Sequence, residues 1–248
     1  MTARLGMKTS AAHYATHLGP IYSWMLGDLN AALARSAAEI DDLPLPAGRG
    51  VAVDLGAGLG LHSLALAKRG FDVVAFDNCE MLLDEMRSRG GTAPIVIHNA
   101  DLLEFRRFLP EPVQVIVCMG DTLTHLPALS SVESLFKAVA GALAPGSVFA
   151  ATFRDYASTE LKGEQRFILV RADDARILTC FLEYQEHQIM AHDLLYEKED
   201  GLWRQTISSY PKLRLAPEWV IVKLSALGFS VKSDSTPGGM VRIVATKN

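Results

Sequence analysis

From residue 51 to residue 156 the chain alternates between short, mostly apolar runs and longer stretches whose apolar positions recur every three or four residues. Val51–Leu55, Asp72–Phe76, Ile95–His98, Val113–Cys118 and Ser147–Phe153 read as buried strands. Helices are predicted from the glycines after Leu55 up to Arg69, over Cys79–Arg89 and over Leu129–Leu143, with Gly70 and Gly90 as stops. Repeated strand, turn and helix implies crossovers between parallel strands, with helices on both faces of the sheet. Ahead of this unit, residues 11–40 predict two helices outside the sheet, with Gly19-Pro20 as a break, and two prolines and two glycines mark a loop over 41–50.

The period changes after Ala157. Arg166–Arg171, Arg176–Tyr184, Gln188–Glu197 and Leu202–Tyr210 are β-rich and read as antiparallel, with Asp200-Gly201 as a hairpin turn that needs residues tolerant of positive φ. A helix over Pro217–Leu227 and strands at Phe229–Lys232 and Met240–Ala245 then resume the first pattern. The β-rich run is therefore an insertion after the fifth strand, since the elements beyond it complete a seven-stranded sheet. The predicted class is α/β in a single domain over 1–248: N-terminal helices at 11–40, a core at 51–156, the insertion at 157–215 and a completing segment at 216–248.

Composition narrows the function. A net charge of -4 and a pI near 6.0 over 248 residues, with basic side chains scattered among acids, disfavour nucleic acid as a partner. Apolar runs fall short of a membrane span and Met1–Ser10 lacks a signal-type hydrophobic segment, so no membrane partner and a cytoplasmic location are expected. Cys79, Cys118 and Cys180 are far apart and the histidines are dispersed, which gives neither a disulfide framework nor a metal-ligand spacing; no metal is expected.

The stretch Val51–Gly60, VAVDLGAGLG, carries the most chemistry. Glycines between a strand and a helix allow positive φ and close approach of a ligand to free backbone N–H groups. Asp77 ends the next strand at the spacing where an acidic side chain accepts hydrogen bonds from ribose hydroxyls, and Asp101 follows the third strand, either at the same edge of the site or as a helix N-cap.

Together VDLGAGLG, VVAFDNCEML, NADLLEF, VQVIVCMGDTLTHL and LAPGSVFAATF resemble the class I S-adenosylmethionine-dependent methyltransferases, in the family's order and over Val51–Phe153. The resemblance implies a Rossmann-like fold with S-adenosylmethionine as cofactor. By it Gly56, Gly58 and Gly60 line the methionine and ribose portions, Asp54 shapes the turn, Asp77 holds the ribose hydroxyls, Asp101 meets the adenine amino group and Met81 packs on adenine; Asn78, Leu102 and Met119 are counted among the cofactor-binding residues. Met81 is equally readable as core packing. Cys79 stands where the family often has serine. The GxGxG pattern followed by Leu61 departs from the GxGxxG of dinucleotide dehydrogenases.

MGDTLTHL, Met119–Leu126, is similar to glycine N-methyltransferase and related small-molecule enzymes, which favours a nitrogen of a small-molecule acceptor. Methyl transfer from a sulfonium is an in-line displacement that asks for alignment and loss of a proton. His125 is a candidate general base or a helix cap, Arg154 a candidate carboxylate binder or an ion-pair partner of Asp155, and Tyr156 and Tyr210 candidate pocket walls or packing residues. Tyr14, Tyr22 and Trp24 offer aromatic faces to a sulfonium or to the core. Met190, His192, Leu194 and Tyr196 share one face of the insertion, read as a pocket wall or a subunit interface, so a homodimer is among the expected partners. A small-molecule O-methyltransferase, a non-catalytic binder of the cofactor and an enzyme acting on RNA or protein are the alternatives.

Overall fold

The computed structural model describes residues 8–46, 50–109 and 112–248; Met1–Met7 and residues 47–49 of the predicted loop lie outside them. Parallel strands β1 (Val51–Leu55), β2 (Asp72–Asp77), β3 (Ile95–Asn99), β4 (Val113–Cys118) and β5 (Leu143–Phe153) join β10 (Phe229–Ser235) and β11 (Val241–Lys247) in a seven-stranded sheet of order β10-β11-β5-β4-β1-β2-β3. Only β11 runs antiparallel to its neighbours, β5 and β10. The expected α/β class and mostly parallel sheet are thus present. Strand order reverses between β1 and β4, the point at which open α/β sheets leave a crevice beyond their carboxyl ends.

Both sheet faces are dry. Val53, Leu55, Ile116 and Phe149 pack on one side with Val132, Phe136 and Val139 of helix α6 (Leu129–Ala142) and Val220 and Leu224 of α7 (Pro217–Ala226). Ala52, Val115, Val117 and Ala150 face the other side with Ile40 of α3 (Leu29–Asp41) and Leu66 of α4 (Leu61–Lys68). Strands buried on two faces have no polar alternation, which is why they appear in the sequence as largely apolar runs.

At the N-terminus the structure differs from expectation. Gly19-Pro20 does not break the first helical run: α1 (Ser10–His13), a π-type turn over Tyr14–Leu18, a 3-10 turn over Gly19–Ile21 and α2 (Tyr22–Leu26) follow without a gap. Pro20 stands in the first turn of its element, where a missing N–H removes no bond, and the break falls instead at Gly27, φ +82.

The insertion forms its own antiparallel sheet, β6 (Phe167–Ala172), β7 (Arg176–Tyr184), β8 (Gln188–Glu199) and β9 (Leu202–Leu213), in sequential order. Its buried positions on β8 are Ile189, Ala191, Asp193 and Leu195, the alternate set to the predicted wall. Met190 is also buried, whereas His192, Leu194 and Tyr196 are half-buried and take no part in the main cavity. The inward face carries a charge, Asp193, because His13 from α1 enters this sheet: its ring nitrogens lie 2.9 Å from Asp193 Oδ2 and 2.7 Å from Ser208 Oγ. Tyr210 stacks on that imidazole with centroids 3.9 Å apart, so it holds the N-terminal helices to the insertion instead of lining the cavity.

Candidate active site

One cavity of about 660 Å³ lies over the carboxyl ends of the parallel strands, within the range of roughly 300–1,000 Å³ that small-molecule sites occupy. Its floor is the turn after β1. Gly56, Gly58 and Gly60 have φ of +76, +53 and +75, a conformation that side-chain-bearing residues rarely adopt. The three have different duties. A Cβ on Gly58 would meet nothing nearer than Leu82 Cδ1 at 4.0 Å, so that backbone is open to the cavity, whereas a Cβ on Gly60 would fall 2.5–2.8 Å from the side chain of Met86. Gly60 therefore does not line the site; it lets α4 start against α5 (Glu80–Gly90).

Asp54 also lies off the wall. It is buried and accepts a 2.6 Å bond from Ser63 Oγ, which ties β1 to α4. Asp77 faces the cavity from the end of β2. The Gly58 N–H donates to its Oδ2 over 2.8 Å and the Cys79 N–H to its Oδ1 over 2.9 Å. Burial pushes its carboxyl above the usual carboxylate range, and these N–H donors offset part of that shift.

Asn78, Leu82, Asp101, Leu102 and Met119 complete this half of the wall. Asp101 combines both expected roles, since its Oδ1 accepts from the Leu103 N–H at the start of the 3-10 turn Leu102–Phe108 while the residue borders the cavity. Met81 does not border it. Its side chain is 43% exposed, the sulfur lying on the side of Gly19, and the next residue, Leu82, supplies the apolar wall. Cys79 opens α5 through its backbone alone, without a side-chain cap.

Tyr14, Tyr22 and His125 form the other half, together with Lys212, Gly120 and Thr122. Trp24 is absent from it: its indole N–H donates to Asp173 and its ring faces Arg171 and Arg176 of the insertion. Tyr14, Tyr22 and Trp24 were expected to offer aromatic faces to a sulfonium or to the core, but the change of helical pitch over 14–21 turns Trp24 away from the other two.

His125 ends a short 3-10 turn, Thr122–His125, and does not cap α6, whose N-cap position is Ala128. Its Nε2 is buried without a hydrogen-bond partner. Burial, then the nearby Lys212 cation, lower its pKa to about 3, so the imidazole is neutral at physiological pH. Arg154 is exposed and Tyr156 is buried, and neither borders the cavity. What the two supply goes to Asp121: the Arg154 backbone N–H donates to its Oδ1 over 2.8 Å and the Tyr156 hydroxyl to its Oδ2 over 3.3 Å.

Lys212 on β9 went unnoticed in the sequence. Its ammonium lies 2.7 Å from Asp121 Oδ2, with side-chain exposures of 11% and 6%. Asp121 is one of two non-glycine residues with positive φ among those described, at +76, and strain of that kind persists where the surroundings over-determine it. The MGDTLTHL stretch marked Asp121; Lys212, a single cation after Pro211 in a β-rich run, had no comparable signal.

One crevice at the strand-order switch thus joins the glycine turn, the acid after β2 and the acid after β3. Residues 52–146 match the family model described as a methyltransferase domain. This segment is a methyltransferase domain. Around it the chain shares its fold with solved methyltransferases: the sugar N-methyltransferase KedS8 from Streptoalloteichus sp ATCC 53650 superposes with a TM-score of 0.74 at 15% identity, over 100% of both chains. The chain is similar in sequence to the putative methyltransferase YqeM of Bacillus subtilis, 30% identical over 101 residues, which are 40% of each chain. Glycine/sarcosine N-methyltransferase of Aphanothece halophytica is 32% identical over 77 residues, 30% of this chain and 29% of that protein. The chain therefore matches less than half the length of either curated relative.

Proposed function

We propose that the protein is an S-adenosylmethionine-dependent methyltransferase that moves a methyl group to a nitrogen of a small-molecule acceptor by direct in-line displacement. The observation that carries this is the single cavity bordered by the methyltransferase domain's glycine turn, Asp77 and Asp101 on one side and by Tyr14, Tyr22, His125 and Lys212 on the other. The first side suits an adenosyl group. Gly58 offers backbone with room for close approach, Asp77 keeps carboxylate lone pairs for two ribose hydroxyls, Asp101 takes an exocyclic amino group, and Leu82, Leu102 and Met119 flank a flat base.

When bound, the sulfonium supplies an electrophilic methyl group and a thioether as leaving group. The residues of the second side hold the acceptor in line, which is the larger part of what such a reaction asks of a protein. Tyr14 and Tyr22 present ring faces, favourable beside a cation, and the N-terminal helices that carry them shut water from the cavity. His125 offers its unpartnered Nε2 to a polar group of the acceptor.

An imidazole held near a pKa of about 3 is a poor general base at neutral pH, so His125 orients and does not deprotonate. That favours nitrogen over oxygen. A neutral amine attacks with its own lone pair and sheds its proton afterwards, whereas a hydroxyl has to lose its proton as it attacks. Similarity to N-methyltransferases supports the same acceptor atom.

A panel of amines, amino acids and phenols incubated with S-adenosylmethionine, with release of S-adenosylhomocysteine as readout, tests this. Release that depends on an amine is expected. Release driven by phenols alone would make the protein an O-methyltransferase, and tight cofactor binding without any release would make it a binder.

A further inference from the structure

Lys212 and Asp121 put an ion pair into the acceptor side of the cavity, where side chains of the two are only 11% and 6% exposed. Removing charges from water is unfavourable, and a hydrophobic pair of similar volume often stabilises a fold at least as well, so stability is a weak reason for such a pair to be here. The surroundings single out the ammonium. Its Nζ lies 5.7 Å and 5.6 Å from the ring centroids of Tyr156 and Tyr210 and 3.5 Å from the Tyr156 hydroxyl. Among the groups that face it are Asp121 and His125 from the loop after β4, Tyr156 after β5, Tyr14 from the N-terminal helices, and Asp193 and Tyr210 in the insertion.

Asp121 is committed. Its Oδ1 takes the Arg154 N–H and its Oδ2 takes Lys212 and the Tyr156 hydroxyl, so its lone pairs turn away from anything in the cavity, whereas Lys212 borders the cavity itself. A ligand beside this pair meets the cationic end first.

We propose that Lys212, paired with Asp121 at the cavity wall, keeps a second cation out of the acceptor chamber, so that the acceptor nitrogen is held as the free amine; His125, which borders the same cavity, reports the field that Lys212 sets there. This rests on the amine methylation proposed above. The chemical requirement is direct, because the nitrogen lone pair forms the new N–C bond as the C–S bond breaks and its electrons pass to sulfur, and a protonated nitrogen has no such pair. The order of influences on His125 agrees, with Lys212 depressing its pKa more than Asp121 raises it. Lys212 is thus a positioning residue that acts through charge.

The test follows His125 by NMR of imidazole-labelled protein in complex with S-adenosylhomocysteine, the resonance being assigned with His125→Gln. In the wild type the imidazole stays neutral from pH 8 to about pH 5, and Lys212→Met raises its midpoint by about one pH unit or more, a tenfold or larger change in proton affinity. Lys212→Arg keeps the wild-type behaviour. The double variant Lys212→Met/Asp121→Asn, a neutral pair that folds if the single variant does not, falls between the two. An unmoved midpoint in both neutralised variants overturns the proposal.

The second readout is the acid limb of kcat for the amine that turns over fastest in the panel, which moves upward by about one pH unit in Lys212→Met while affinity for S-adenosylhomocysteine changes less than about twofold. A limb that stays in place also overturns the proposal. If no amine turns over, nitrogen methylation fails, and the imidazole titration still decides what the pair does.

Discussion

The Gly58 N–H and Asp77 Oδ2 are 2.8 Å apart, so the turn after β1 and the tip of β2 are fastened to each other before any ligand arrives. The site is preorganised at the place where a ribose is proposed to lie. Asp77→Ala is expected to weaken S-adenosylhomocysteine by roughly 100-fold, since lost hydrogen bonds to a charged group are worth about 1.5–3 kcal/mol each. Asp77→Asn, which keeps one acceptor oxygen for the turn, should weaken it less. Calorimetry measures both, and equal binding by the alanine variant would remove the ribose assignment.

Gly58 and Gly60 should separate binding from stability. Alanine at Gly60 meets Met86 as well as an unfavourable φ, so thermal unfolding is expected to come several degrees earlier, for overpacking of about 1–3 kcal/mol plus about 1 kcal/mol of backbone strain. Met86→Ala in the same chain should recover part of that loss. Alanine at Gly58 carries the strain alone, and its methyl group projects into open space on the cavity side, so ligand affinity should fall more than melting temperature.

Trp24→Ala is a test of the corrected position. The indole donates to Asp173 and sits beside Arg171 and Arg176, so the variant should lose about 1–2 kcal/mol of stability through its contacts with the insertion. Affinity for S-adenosylhomocysteine should stay within about twofold, the change expected of a residue outside the cavity. A large loss of affinity with unchanged stability would put Trp24 back on the wall.

Stability should decline as the pH falls just below 6.5. Burial lowers the pKa of both His125 and His17, so in that window the unfolded chain binds protons that the folded chain refuses, and each such group removes about 1 kcal/mol per pH unit below its unfolded value. Asp54 and Asp77, whose pKa values burial raises, act in the opposite sense at lower pH, where the folded state takes up protons more readily. Urea titrations at pH 7.5 and 5.5 measure the difference, and His125→Gln should flatten the slope. An unchanged slope in that variant would mean that the imidazole is solvated.

The sheet was legible because its strands are buried on both faces, which leaves runs such as Val113–Cys118 and Val51–Leu55 mostly apolar, each with one polar residue and no alternation. The glycine turn and Asp77 were legible for another reason: each lies at a strand end, where chain order and space coincide. Residues brought in from outside that repeat were not. Periodicity put Met190 and His192 on one face of the insertion, read as a pocket wall or a subunit interface, but the face buried along the strand is that of Ala191, Asp193 and Leu195, where His13 docks on Asp193. Met81 and Leu82 differ by one step along a helix, and only the angle at which α5 meets β2 decides which of them faces the cavity. Lys212 illustrates the same limit, since its partner lies 91 positions away in the chain.

Walls of the cavity come from places as far apart as Thr9 and Leu213. Lys212 and Leu213 are therefore the last of these walls to leave the ribosome, long after Tyr14, Tyr22 and the glycine turn. A ligand gripped by both halves can stabilise only molecules that have progressed that far, because a fragment lacking β9 lacks the side chains that complete the second half.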